Sequence, residues 1–131
     1  MDLFIVSRDG SKQSLVANLA LAAWSKQQGQ DVVLMYDQEA MIAMAEKNFQ
    51  YTGLLKPYAE DMEKIIGGMG FPTDPIANLR MAKAMGVEIV TCQLWAEVAR
   101  TKNEIPEEIK VVEIDEIFAM IASAEKIMGD F

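Results

Sequence analysis

The run Leu3-Phe4-Ile5-Val6 is continuously apolar and stops at Ser7-Arg8-Asp9-Gly10. Four apolar residues closed by polar residues and a glycine predict a buried strand that ends in a loop. From Ser11 the period changes. Leu15, Val16, Leu19, Ala22 and Ala23 recur at helical spacing, Ser11 or Ser14 stands where a cap belongs, and Gly29 supplies a left-handed stop. Val32-Val33-Leu34-Met35-Tyr36 is a second buried strand, and Asp37 is placed to cap a helix carrying Met41, Met44 and Ala45. Strand, helix, strand, helix is the order of a parallel α/β sheet.

Residues 48–73 interrupt that order. Asn48 to Gly53 has no clear period, Tyr58 to Ile66 suits a short amphipathic helix, and Gly67-Gly68-Met69-Gly70-Phe71-Pro72 reads as a glycine-rich connection. Such a segment is either mobile and partner-facing or a plain surface excursion. Thr73-Asp74-Pro75 then starts a helix whose inner face is Ile76, Leu79, Ala82 and Met85, with Gly86 ending it. Residues 87–91 form a third strand, Leu94 to Arg100 a short helix, and residues 110–114 a fourth, more exposed strand. Asp115 is placed to cap a last helix with Ile117, Phe118, Ile121, Ala124 and Met128 on one side. The whole predicts a single α/β domain over residues 1–131, a three-layer α/β/α sandwich around a mainly parallel sheet of four or five strands.

Composition narrows the function. Twelve basic against twenty acidic residues leave a formal charge of -8, which repels phosphate backbones and anionic headgroups, so neither nucleic acid nor a membrane surface is an expected partner. The start MDLFIVSRDG lacks the basic region and the longer apolar core of a signal peptide, and LVANLALAAW is too short to span a bilayer. A cytoplasmic location is expected. The absence of histidine removes the usual general base and zinc ligand, along with any Ser-His or Cys-His dyad. Gly67-Gly68-x-Gly70 lacks the Lys-Ser/Thr pair of a phosphate loop. The methionine spacings, Met41 to Met44 and Met81 to Met85, are those of a core-facing helix, so no metal or other cofactor is expected.

What remains is Cys92, the one thiol in the chain, in GVEIVTCQLW. It cannot form an internal disulfide or a two-thiol redox motif. It lies where the third strand gives way to a helix, at the carboxyl edge where ligands of parallel α/β sheets collect. The free backbone N–H groups of Gln93 and Leu94 and the helix dipole would favour its thiolate. The competing reading is a buried small hydrophobe with a packing role.

The stretch beginning at Met81, MAKAMGVEIVTCQLWAEVARTKNEIPEEIKVVEIDEIFAMIASAEKIM, resembles the DsrE/DsrF-like sulfur-relay family. In that family a helix and a glycine lead into a strand ending in cysteine, followed by a short helix, an acidic segment, a short strand and a final helix. The amino-terminal strand, alanine-rich helix and second strand fit as well. The chain departs from the family in Asp37-Gln38-Glu39-Ala40 after the second strand and in Trp95 beside the cysteine. The resemblance implies that Cys92 carries sulfane sulfur as a persulfide, passing it between donor and acceptor proteins. It also implies a homo-oligomer, a trimer or hexamer. Gln93, Leu94 and Trp95 are the expected neighbours of the sulfur, Arg8 a source of positive charge on the same edge, and Ser7, Tyr36 and Asp37 further lining residues. The alternative is a non-catalytic assembly subunit presenting Tyr51, Tyr58, Phe71 and Trp95 on its surface.

Overall fold

A computed structural model describes residues 1–129. In chain order the elements are β1 (Leu3–Ser7), α1 (Lys12–Gln27), β2 (Val32–Tyr36), α2 (Gln38–Glu46), a 3-10 turn (Gly53–Tyr58), α3 (Ala59–Gly68), α4 (Pro75–Ala84), β3 (Glu88–Cys92), α5 (Gln93–Arg100), β4 (Lys110–Val112), α6 (Ile114–Ser123) and β5 (Lys126–Gly129). The five strands form one parallel sheet in the order β4-β3-β2-β1-β5.

That strand order dictates the layers. From β1 to β4 each connection moves one strand in the same direction, so right-handed crossovers put every helix between them on one face. The return from β4 to β5 crosses the sheet the other way and puts α6 on the opposite face. The packing follows suit. On the first face Leu3, Ile5, Leu34 and Ile89 meet Leu15 and Leu19 of α1, Met41 and Met44 of α2, Leu79 of α4 and Ala99 of α5. On the second, Phe4, Val6, Val33, Met35, Val90 and Val112 meet Ile117, with Met120 and Ile121 half-buried against them. The result is an α/β/α sandwich with unequal layers.

Local chemistry explains most element ends. Ser11 caps α1 by accepting from the Ser14 N–H, and Asp74 caps α4 by accepting from the Ile76 N–H, with Pro75 at the first helical position. α1 and α4 end in paired bonds around Gly29 and Gly86, whose φ angles of 88° and 100° favour glycine. Gly10 answers a different need. A Cβ there would stand 2.8 Å from the Glu39 carbonyl oxygen, so the loop after β1 can lie against α2 only without a side chain.

Several elements differ from the sequence pattern. The last helix stops at Ser123, and the residues expected to extend it turn into β5. The cause is tertiary: the Glu125 and Lys126 N–H groups donate to the Met1 and Asp2 carbonyls, and the chain pairs with the open side of β1. β4 is three residues long because Glu113 already starts α6, leaving Asp115 in the first turn rather than at the cap. β3 begins at Glu88, since the Val87 N–H still bonds back to α4 at the Ala82 carbonyl, and it continues through Cys92. α3 runs through Gly67 and Gly68, leaving Met69 to Pro72 of that stretch in the connection.

Candidate functional site

The carboxyl ends of β1, β2 and β3 lie side by side, with Ser7 opposite Tyr36 and Tyr36 opposite Thr91. Strand residues alternate between faces. Ser7, Tyr36 and Thr91 follow Ile5, Leu34 and Ile89 at two-residue spacing and belong to the four-helix side. Cys92 is one residue further along β3 and belongs to the α6 side, where it packs half-buried against the second core cluster. The expected site therefore divides in two across the sheet.

Cys92 is both the last residue of β3 and the N-cap of α5 (φ -69°, ψ 142°), and its side chain makes no capping bond. The first-turn N–H groups of α5 have no partner within the helix by construction. Gln93 is exposed and its amide reaches along the helix to Glu97 at 3.4 Å. Leu94 is half exposed. Trp95 is corrected from a surface aromatic to a half-buried one, because helical rotation turns it into the first core cluster beneath the four helices.

The other expected residues have structural occupations. Ser7 is fully buried and its hydroxyl accepts from the Asn18 side-chain amide at 3.1 Å. Asp37 occupies the N-cap position of α2 without a capping bond; its carboxylate faces Arg8 at 3.5 Å instead. Arg8 is thus an ion-pair partner of Asp37 rather than a free positive charge. Tyr36 is fully buried, its carbonyl accepts from the Thr91 hydroxyl at 2.8 Å, and its own hydroxyl finds no partner among the described residues.

The Tyr36 hydroxyl yields a test of stability. Burial raises its pKa above the ordinary tyrosine value, so the folded state favours the neutral phenol. The associated stability is complete below the unfolded value of about 10 and falls as pH rises beyond it. Tyr36→Phe removes an unsatisfied buried hydroxyl, and a gain of about 1 kcal/mol in urea unfolding at neutral pH is expected. The substitution should also flatten the alkaline decline in stability. A loss of stability at neutral pH would show that the hydroxyl has a partner.

Sequence inspection missed a second polar cluster. Lys12, at the start of α1, pairs with Glu63 of α3 and stands 5.1 Å from the centre of the Tyr51 ring. Tyr51, expected at the surface, is buried, and burial together with the charge and hydrogen bonding of Glu63 raises the pKa of its hydroxyl. These residues line a cleft of about 380 Å³. Another, of about 440 Å³, is lined by Asp9, Ser11, Glu39 and Gln50. Cys92 lines neither. Among the described residues no group of three or more histidine, cysteine, aspartate or glutamate side chains is arranged to hold a metal ion.

The solved structure of the YchN protein from E. coli superposes with a TM-score of 0.66, covering 99% of this chain and 100% of that one at 17% sequence identity. YchN has a DsrE/DsrF-like fold. This chain has that fold too. No family model and no curated protein matches the sequence. No helix among the described residues is long and apolar enough to cross a membrane.

Proposed function

We propose that the chain is a small sulfur carrier that holds sulfane sulfur as a persulfide on Cys92. The observation that carries this reading is the position of the thiol, partly open at the carboxyl edge of a parallel sheet and immediately before a helix whose first N–H groups no side chain caps. An anionic sulfur there meets favourable backbone dipoles. In the loading step the Cys92 thiolate attacks the terminal sulfur of a donor persulfide. A new S–S bond forms, the donor S–S bond breaks and the donor leaves as a thiolate; an acceptor thiolate reverses the step on Cys92.

The donor and acceptor in this reading are proteins, and the carrier is a cytoplasmic homo-oligomer, a trimer or a multiple of one. The test is intact-mass measurement after incubation with polysulfide near pH 8. Addition of one sulfur atom, removed by a thiol reductant, is expected; an unchanged mass with several sulfane-sulfur donors would end the proposal. Sedimentation at micromolar concentration tests the assembly, and a clean monomer would remove it.

A second reading keeps Cys92 as packing and makes the chain a non-catalytic assembly subunit. It is favoured by the contact of Cys92 with the second core cluster and by the exposure of Phe118 and Ile127. Labelling by a bulky thiol reagent separates the two: rapid reaction of the native protein supports the carrier, and reaction only after denaturation supports the subunit.

A further inference from the structure

The excursion between α2 and α4 is attached to the body in an unusual way. No residue of the 3-10 turn or of α3 is buried. Leu54, Tyr58, Ile65 and Met69 are largely exposed, with Leu54 at 92%. Ten residues are too few for a helix to be stable alone, since isolated helices below about 12 to 15 residues are marginal in water. The two glycines at the end of α3 weaken it further. Ala59, Met62 and Ile66 are half-buried on its inner face and none is fully buried, so hydrophobic burial holds this element only lightly.

Polar contacts do. Glu63 of α3 pairs with Lys12 of α1, and the Lys12 ammonium also lies over the Tyr51 ring. Hydrogen bonding from Lys12 is the largest influence on Glu63 and holds its carboxyl below the usual range, with a bond from Thr73 adding to it. Just before the excursion, Thr52 is fastened to α1: its N–H donates to the Gln13 amide oxygen at 3.2 Å, and its hydroxyl accepts from the Gln13 amide nitrogen at 2.9 Å. The Lys12 N–H donates to the Gln50 carbonyl at 2.9 Å. The body side of the junction is therefore fixed, while the residues beyond it are tied back chiefly through Glu63, to Lys12 first and to Thr73 and Tyr51 after it.

Both ends of the excursion can turn. Gly53 and Gly70 have φ angles of 61° and 85°, and a Cβ on either would meet nothing within 4 Å. Gly70 also serves the helix stop, where its N–H and that of Phe71 bond back to Gly67 and Ile66. Neither glycine is packed against the body. We propose that residues 54–69 form a hinged arm that swings as a unit about Gly53 and Gly70, and that the Lys12–Glu63 pair is the latch holding it over the start of α1. Opening uncovers the cleft containing Lys12 and Tyr51 while leaving the sheet and both core clusters intact. The proposal does not depend on the chemistry of Cys92.

Hydrogen exchange on the full chain tests it. In the wild type, amides of residues 59–68 should exchange about tenfold or more faster than the buried stretch of α1, because the arm opens without global unfolding. Lys12→Gln lies outside the arm and reaches it only through the latch. It should accelerate arm exchange about threefold, the size expected for a partly exposed ion pair. Glu63→Gln also weakens the bonds to Thr73 and Tyr51 and should accelerate it at least as much, and the double variant should add nothing beyond Glu63→Gln alone. Protection of α1 and α4 should stay unchanged in all three. The proposal is overturned if the arm exchanges only with the core, if Lys12→Gln leaves it unaffected, or if the two substitutions add independently.

Discussion

Cys92→Ser should abolish sulfur uptake completely while leaving the fold as stable as before. The first half follows from chemistry, because a serine hydroxyl neither forms a persulfide nor ionises near neutral pH, and the chain has no other cysteine. The second follows from the position. Residue 92 is the N-cap of α5, where the cysteine makes no capping bond, and serine is among the favoured residues at that position. A serine oxygen can accept from the Leu94 or Trp95 N–H, a gain of about 0.5–2 kcal/mol. Against this stands the lost packing of a half-buried thiol on the second core cluster. The two effects are of similar size, so the urea midpoint should move little. Loss of more than about 2 kcal/mol would mean the thiol is chiefly a core residue. Paired with an unmodified wild-type mass, that result would leave the assembly subunit as the better account.

The position of Cys92 was legible in the sequence to within one residue, but the face it occupies was not. Whether a residue belongs to the last position of a strand or the first of a loop decides which way the pleat sends it. Ending the third strand at Thr91 left Cys92 free to join Ser7 and Tyr36; continuing the strand by one residue sends it to the other side of the sheet. The first two strands were readable because their apolar runs are unbroken and closed by polar residues. β5 was not, since Ala124 and Met128 prolong a helical period and Lys126-Ile127-Met128 is too short to contradict it. Its state is set by the unpaired side of β1, which lies at the other end of the chain. Tyr51 has the same explanation. Its burial rests on Lys12 and Glu63, and a separation of 51 positions between those two leaves no local trace. The capping residues Ser11 and Asp74 were legible because their partners are two or three residues away.

The unequal layers make Phe4 the residue whose loss should cost most. It is fully buried on the side covered by α6, between Val33 of β2 and Ile127 of β5 in the register of the sheet. Phe4→Ala removes most of an aromatic side chain from that cluster, and about 3–5 kcal/mol of stability should go with it. That is a large share of the roughly 5–15 kcal/mol by which a domain of this kind is stable. The four-helix side has more elements to close around a comparable gap, since α1 packs on α4 and α2 on α5 there. On the α6 side Ile117 is the one buried residue of the covering helix, and among the described residues β5 pairs with β1 alone at the edge of the sheet. The loss should therefore be accompanied by faster amide exchange in α6 and β5 than in α1 and α4, measured alongside urea unfolding. A cost below about 1 kcal/mol, or exchange that rises equally in all helices, would show that α6 settles into the gap and that the thin layer is as well supported as the thick one.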